Sequence, residues 1–373
     1  MLSRDTPLSR AFECMRFPLL LFVVAFHFPL GLPRGHALYY LERVGESAQV
    51  LMSIFFFISG YLQYCGRDTY TPADYRRDLR SKTRSILLPF VVWSAIAYIL
   101  FLLSPRAQLG LPEPGNFMRM FVHGFEAAPR RSILGYDFLE RCSPSVTVPY
   151  WFLRDLFVLF LISPVFRWIA LRLRAWTIPL LLIPFTLNAG LPNGLISLDG
   201  LYFYPLGVTF AVCGYDPAET ARRLGPWLIV PWVVLTAMCA WMCGDFDNHH
   251  LFMGVRSQLF FRIYTLVSLP VWIRAFLWVQ ARPRLARPLM WLAPACFFIY
   301  VAHAPRAISV WMENFRILPG DSAQPGDIAV WVLAMTVLLG GLTLLYRLMS
   351  RHTPILLVPL AGGRLPKKAS NKQ

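Results

Sequence analysis

Apolar residues recur along the whole chain in runs long enough to cross a membrane. A transmembrane helix needs about 20 predominantly apolar residues, within a range of about 17–25. We therefore predict an all-α, polytopic membrane helix bundle of about ten transmembrane helices. They cover approximately residues 12–32, 48–65, 85–104, 149–167, 176–190, 200–214, 226–243, 258–279, 288–310 and 328–347. Residues 1–347 form the predicted transmembrane domain, with one long loop at 105–148, and residues 348–373 form a basic cytoplasmic tail.

The composition supports a membrane domain. Of the 373 residues, 56% are hydrophobic and 15% are charged, whereas a soluble domain carries about 25% charged residues. The first apolar run follows Arg4 and Arg10 in the manner of a secretory signal peptide, but no small-x-small cleavage site follows it. We predict that this run is retained as the first transmembrane helix.

The positive charge is explained by membrane topology. A net charge of +16 could indicate a nucleic-acid partner, but most of the 36 Lys and Arg residues fall in alternate loops and in the tail. Cytoplasmic loops of membrane proteins carry this excess. We predict that both termini are cytoplasmic, that the partners include membrane lipids, and that nucleic acid is not among them.

The first predicted helix carries two ionisable residues where lipid is expected. Each costs about 2.5–3.5 kcal/mol near the helix centre on insertion scales. Arg16 and His27 are eleven residues apart, which places them on one face about 16 Å apart along the axis. Glu13 could pair with Arg16 one turn away. The pattern indicates a polar strip, and the alternative is a snorkelling arginine with an isolated packing histidine.

Other polar residues stand at predicted helix positions. Ser59 precedes Gly60, a pair that allows close helix packing. Tyr300 and His303 share a face of the ninth predicted helix, and His303 lies at about the depth of His27, which predicts a shared polar cavity.

Arg154 and Asp155 lie at the outer end of the fourth predicted helix. They can form a local structural ion pair, or they can belong to a functional site.

A basic cluster precedes the third predicted helix. Arg80 and Arg84 are one turn apart, and Arg77 lies close before them. The cluster can serve as a topology signal with lipid headgroup contacts, or as an anion site, because guanidinium groups bind phosphates bidentately. The seven Cys are mostly in apolar runs and are interpreted as structural. No P-loop, GxGxxG, HExxH or GxSxG motif is present, and no bound metal is predicted.

Taken in order, these motifs resemble the bacterial acyltransferase 3 family. They are the Arg-x10-His pair of the first helix, FFxxSG(F/Y) at 55–61, the basic cluster, WFL at 151–153 and F-x-IY-x-x-H at 297–303. The resemblance implies a ten-helix enzyme of the bacterial inner membrane, with residues 1–347 as the acyltransferase domain. Such an enzyme moves an acyl group, usually acetyl, from cytoplasmic acyl-CoA to a sugar hydroxyl of a glycan such as O-antigen or exopolysaccharide.

The resemblance also implies partners and site residues. The acceptor is a free or lipid-linked carbohydrate, glycan-assembly proteins are potential partners, and no cofactor is tightly bound. Arg16 and His27 carry over as functionally important. The family's Arg-x-x-Arg is ambiguous here, since Arg77 and Arg80 have its spacing while Arg84 lies nearer the helix. Two glycines that often flank the first arginine are missing.

Acyl transfer from a thioester to a hydroxyl needs a base and groups that stabilise the oxyanion. We expect His27 to act as the general base or as a transient acyl carrier. The arginine cluster, Arg80 and Arg84 with Arg77, is the expected site for CoA phosphates. We expect six further residues to orient the substrate or to stabilise the oxyanion. They are Ser59, Tyr300, His303, Arg154, Asp155 and Glu13.

Two other classes of protein compete with an enzyme. A transporter or flippase for a glycan or lipid-linked sugar would often show internal repeats with paired broken helices, and no clear repeat is visible in the sequence. A membrane scaffold would leave the strip from Arg16 to His27 without an explanation.

Overall fold

The computed structural model describes residues 6–33, 35–46, 51–102, 130–131, 137–138, 148–190, 196–245, 255–305, 308, 311–312, 314–317 and 322–365. Most of the predicted long loop at 105–148 lies outside the described residues. Within the described part the chain is almost entirely helical, which confirms the all-α class. Its strand content is one antiparallel pair of two-residue strands, Arg130–Arg131 and Asp137–Phe138.

The α-helices of the described part are numbered here in chain order. They are α1 (Pro7–His27), α2 (Tyr39–Glu46), α3 (Leu51–Tyr64), α4 (Pro72–Lys82), α5 (Leu88–Leu102), α6 (Trp151–Leu173), α7 (Thr177–Thr186), α8 (Leu198–Val212), α9 (Pro217–Asp245), α10 (Val255–Gln280), α11 (Pro283–Leu292), α12 (Cys296–Ala302), α13 (Pro325–His352) and α14 (Leu357–Ala361). A π-helical turn, Thr83–Leu87, joins α4 to α5. Short 3-10 turns precede α6, α7, α12 and α14.

Helical residues occur at each of the ten predicted spans, and five stretches are long and apolar enough to cross a membrane. These are Trp151–Thr186, Pro217–Trp241, Leu259–Gln280, Pro283–Ala302 and Pro325–His352. The total of about ten spans, and the side on which the termini lie, stay predictions.

Two helical regions, one of these five stretches and α1, differ from a single straight apolar helix. The stretch at 151–186 has 36 residues and would measure about 54 Å as one straight helix, well beyond the hydrocarbon thickness of about 30 Å. Arg174 interrupts it with a φ of 48°, a value that bulky residues rarely adopt. Helix α1 is 21 residues long, but Arg10, Glu13 and Arg16 make its first half polar.

Helices α3 and α8 approach each other closely at two glycines. A Cβ atom added to Gly60 would overlap the carbonyl oxygen of Tyr204, and one added to Gly207 would overlap that of Phe57. The absence of side chains lets the two backbones touch. The close packing predicted at Gly60 is confirmed.

Helix α1 lies within the bundle, against α10, α11 and α12. Its residues Met15, Leu19 and Val24 have no exposed surface. Large apolar side chains on the outer helices are exposed instead, among them Trp227 at 82% and Val337 at 55%. Exposed apolar surface on this scale is expected where a protein contacts lipid.

Candidate active site

The polar side chains of the bundle collect at two ends. We call the end where α1 and α12 terminate, with His27 and His303, the histidine end. The end formed by α4 and the π-turn, with Arg80 and Arg84, is called the arginine end.

The strip of α1 that joins Arg16 to His27 faces the protein interior. Residues 16, 20, 23 and 27 lie on one face of an α-helix. Leu20 is 3% exposed and Val23 is 6% exposed, and the two polar residues at either end of the strip are half-buried. The strip therefore does not face the lipid tails, and it connects the two ends of the helix through the bundle.

His27 and His303 lie side by side at the histidine end. Their ring centroids are 5.3 Å apart and their planes are inclined by 54°. The Nδ1 atom of His27 is 2.6 Å from the carbonyl oxygen of Val23, and that of His303 is 3.2 Å from the carbonyl oxygen of Ile299. A carbonyl oxygen only accepts hydrogen bonds, so each Nδ1 carries the hydrogen. Each Nε2 is then an acceptor in the neutral ring.

The second histidine has an unsatisfied atom. His303 has no exposed surface, and its Nε2 has no hydrogen-bond partner among the described residues. A buried polar atom left in this state costs about 1–3 kcal/mol. An acceptor of this kind, beside a second imidazole, fits a hydroxyl group as the missing partner.

The segment that follows His27 is fixed by bonds to distant residues. Both oxygens of Glu42 accept backbone N–H groups, from Gly31 at 2.7 Å and from Leu32 at 2.8 Å. The indole N–H of Trp331 donates to the carbonyl oxygen of Phe28 at 3.1 Å. These bonds hold the end of α1, and with it the imidazole, in one position.

Tyr300 joins α12 to the start of α6. Its hydroxyl donates to the carbonyl oxygen of Pro149, and the hydroxyl of Tyr150 donates to the carbonyl oxygen of Val301 at 2.7 Å. The Tyr300 ring centroid is 6.0 Å from that of His303. Because its hydrogen is engaged, Tyr300 can offer only a lone pair to a substrate.

Arg154 and Asp155 form an ion pair whose carboxylate is buried. Asp155 has no exposed surface. One of its oxygens accepts two bonds from Arg154, at 2.9 and 2.7 Å, and the other accepts the backbone N–H of Ser197 at 2.8 Å. Ser197 in turn caps α8 by accepting the N–H of Gly200. The pair thus ties α6 to the first turn of α8.

A second buried cation was missed by the sequence analysis. Arg262 in α10 is 4% exposed. Its guanidinium donates to the side-chain oxygen of Asn188 at 3.2 and 2.9 Å, and it lies 3.5 Å from a carboxylate oxygen of Asp199. An arginine inside a predicted span, 258–279, was the signal that could have revealed it.

At the arginine end, helix α4 is anchored through Asp78. One oxygen of this carboxylate accepts from Gln63 at 3.0 Å and from Tyr70 at 3.2 Å, and it also pairs with Arg67. These partners lie in α3 and in the segment that follows it. The anchor leaves the opposite side of α4 free to present its arginines.

The arginines of α4 and the π-turn line a groove of about 600 Å³. Its lining residues are Ala73, Arg76, Arg77, Arg80, Ser81, Arg84, Ser85 and Gly362. Arg77 is neutralised by Asp74, at 2.6 Å. Arg80 and Arg84 are exposed and form no ion pair with another described residue. Of the two alternatives left by the sequence, Arg80 with Arg84 has the charge available for an anion.

The two remaining predicted residues, Ser59 and Glu13, lie on α3 and α1. Ser59 is half-buried in α3 beside Gly60, without a hydrogen bond to another described residue, and Glu13 is half-buried on α1. The described residues include no group of three His, Cys, Asp or Glu side chains that could hold a metal ion. The structure thus unites His27, His303 and Tyr300 at one end and the groove arginines at the other.

These features define a helical membrane protein with a histidine pair at one end and an open cationic groove at the other. The chain belongs to the acyltransferase 3 family, whose acyltransferase domain matches residues 9–347. It is 27% identical to the succinoglycan biosynthesis protein ExoH of Rhizobium meliloti (strain 1021), over 83% of this chain and 78% of the relative. No solved structure matches it. The family resemblance drawn from the motifs is confirmed, and the chain is a membrane protein of an acyltransferase family.

Proposed function

We propose that this protein is a multi-pass O-acyltransferase of the bacterial inner membrane. It moves an acyl group, acetyl being the expected one, from cytoplasmic acyl-CoA to a sugar hydroxyl of an exported glycan. Family membership supports the acyl transfer. A relative named for succinoglycan biosynthesis favours an exopolysaccharide as the acceptor. The observation that carries the chemistry is the pair of imidazoles with both Nε2 atoms as acceptors.

In the direct route, His27 acts as the general base. Its Nε2 takes the proton of the sugar hydroxyl while the hydroxyl oxygen attacks the thioester carbonyl carbon. The tetrahedral intermediate then breaks its C–S bond, and the CoA thiolate leaves and receives the proton. The bond from His27 Nδ1 to Val23 fixes the tautomer that this step requires.

In the two-step route, Nε2 of His27 is itself the nucleophile. It attacks the thioester carbonyl carbon, the C–S bond breaks, CoA leaves as the thiolate, and an acyl-imidazole that keeps the hydrogen on Nδ1 forms. The sugar hydroxyl then attacks the acyl-imidazole carbon, with its proton taken by Nε2 of His303, 5.3 Å away between ring centroids. A neutral His303 offers a lone pair, so this assignment suits its geometry better than a donor role at the oxyanion.

The donor is proposed to enter from the arginine end. By the positive-inside rule this end faces the cytoplasm, where Arg80 and Arg84 meet the CoA phosphates. The thioester sits at the far end of the pantetheine arm, which would follow the inward strip from Arg16 toward His27, about 16 Å along the helix. Arg16 lies on this path as a cation for the arm or the thiolate.

The test uses the full chain in lipid nanodiscs with radiolabelled acetyl-CoA. The acceptor is surface polysaccharide from a strain that lacks the protein. We expect label in the polysaccharide as an ester that mild alkali releases, and mass spectrometry of that strain's polysaccharide should reveal one missing substituent. If the protein binds no CoA and instead moves glycan across a vesicle bilayer, the transporter class replaces the enzyme.

A further inference from the structure

The segment after α13 folds back against the bundle. Leu357 and Ala361, at the two ends of α14, have no exposed surface. The indole N–H of Trp93 in α5 donates to the carbonyl oxygen of Leu360 at 2.9 Å. This part of the predicted basic tail is therefore packed against the arginine end.

Gly362 brings the backbone of this segment against the π-turn. It ends α14 with a φ of 63°, in the left-handed region that glycine adopts at helix ends. A Cβ atom at this position would overlap the backbone of Ser85. Glycine is thus required twice, by its conformation and by the close approach.

Arg364 also stabilises the contact between this segment and the π-turn. Its guanidinium donates to the carbonyl oxygen of Ser85 at 2.8 Å, and its central carbon lies 3.7 Å from the centre of the Phe297 ring. The hydroxyl of Tyr346 donates to the carbonyl oxygen of Arg364 at 2.8 Å. Charge-assisted bonding and ring stacking hold this guanidinium in place.

The contact falls on the turn that presents the groove cations. In the π-turn the N–H of Leu88 bonds to the carbonyl oxygen of Thr83, five residues back, a pattern that often occurs at functional sites. Arg84 and Ser85 belong to this turn, and both line the groove together with Gly362. The folded-back segment is therefore one wall of the groove.

We propose that residues 357–364 are a built-in wall of the donor site and that Arg364 is a positioning residue for it. By holding the Ser85 carbonyl, Arg364 sets the π-turn so that the Arg84 guanidinium faces the phosphates of the donor. The inference rests on the proposed function, because it takes acyl-CoA as the occupant of the groove. It adds a segment and a residue that the motifs of the family resemblance do not include.

The first experiment measures binding of coenzyme A to the full chain by calorimetry, and acyl transfer in parallel. We expect Arg364→Ala to raise the Kd for coenzyme A and the KM for acetyl-CoA by about tenfold, with kcat at saturating donor unchanged. Arg364→Lys, which keeps the charge and can still donate one bond to the Ser85 carbonyl, should restore part of the affinity. Arg351→Ala removes an exposed arginine from the last turn of α13 and serves as the matched control, with no change expected.

A second measurement needs no variant. Addition of coenzyme A should slow amide hydrogen exchange in residues 357–364 together with residues 76–88. Protection of residues 76–88 alone, or an unchanged Kd in Arg364→Ala, would overturn the wall while leaving the enzyme intact. Failure of the unaltered protein to bind coenzyme A would reject the proposed function itself.

Discussion

The polar groups at the two ends of this bundle differ in exposure and in hydrogen bonding. At the arginine end the cations Arg80 and Arg84 are exposed and form no ion pair with described residues. At the histidine end His303 and Asp155 have no exposed surface, and most polar atoms there are held by specific hydrogen bonds. The first end is open, and the second is closed.

The difference fits a division of labour between capture and chemistry. Exposed cations attract a diffusible polyanion, and they do so more weakly at high salt. Proton transfer benefits instead from fixed donors and acceptors in a site that excludes water. In the proposed function, helix α1 links the two tasks, because its inward strip begins at Arg16 and ends at His27.

The largest effect is expected at His27. His27→Ala should lower acyl transfer by about 100- to 10,000-fold, the range for loss of a general base, and should leave the Kd for coenzyme A unchanged. Transfer assays and calorimetry on the same preparation provide the measurement. His352→Ala, which changes an exposed histidine at the last residue of α13, is the control. Normal transfer by the His27 variant would remove the proposed base and the acyl carrier together.

A substitution at Asp155 tests whether the ion pair between Asp155 and Arg154 stabilises the fold or contacts the sugar. In Asp155→Asn one carboxylate oxygen becomes an NH₂ group that must face either Arg154 or the N–H of Ser197, both of which are donors. We expect the free energy of unfolding to fall by about 3–5 kcal/mol, as for other broken buried pairs. Thermal unfolding in detergent measures this change.

The exposed Asp68 provides the comparison for that variant. Asp68→Asn should change the free energy of unfolding by no more than about 0.5 kcal/mol. If Asp155→Asn keeps the stability but raises the KM for the glycan, the pair contacts sugar and the histidine end is more open than the structure indicates.

Local sequence patterns predicted the helices and the strip on α1. Period and hydropathy act within one helix, so the position of Arg16 relative to His27 follows from helix geometry alone. Glycine at position 60 likewise predicted a close contact, which the structure places at Tyr204. The sequence did not show which helix would provide that partner.

Features that depend on distant partners could not be predicted in this way. The 5.3 Å approach of His27 to His303 joins two residues 276 positions apart in the sequence, where a similar depth was the sole clue. The engagement of the Tyr300 hydroxyl by Pro149, and the pairing of Arg262 with Asn188, also arise from packing between helices. A single sequence contains no information on such pairings beyond the presence of an ionisable residue in an apolar run.

The open end is expected to control donor binding without controlling the chemistry. Arg80→Ala combined with Arg84→Ala should raise the KM for acetyl-CoA by about 10- to 100-fold, since each lost charge-assisted bond contributes about 1.5–3 kcal/mol. The kcat at saturating donor should be retained. Arg77→Ala, whose charge is already paired with Asp74, should have a smaller effect. If the double variant changes the orientation of the helices in the membrane but leaves the KM for acetyl-CoA unchanged, the arginine cluster serves only as a topology signal.

The smallest effect concerns the protonation of Lys82 at the end of α4. Burial and the neighbouring Arg364 cation lower the pKa of Lys82 to about 8, Asp78 opposes this shift, and Arg67 adds to it. The ammonium charge is thus present below pH 8 and is lost as the pH rises through that value. We expect the affinity of the arginine end for a phosphate ligand to decrease a few-fold between pH 7 and pH 9, as one charge at moderate distance allows.

Adenosine 3′,5′-bisphosphate is the appropriate probe for this titration. It lacks the thiol of coenzyme A, and its phosphates, with a second pKa of about 6, keep nearly constant charge over the range. Lys82→Arg stays charged and should make the affinity independent of pH. A pH dependence that persists in this variant would assign the titration to another group. Such a result would exclude the Lys82 charge as a contributor to phosphate binding at the arginine end.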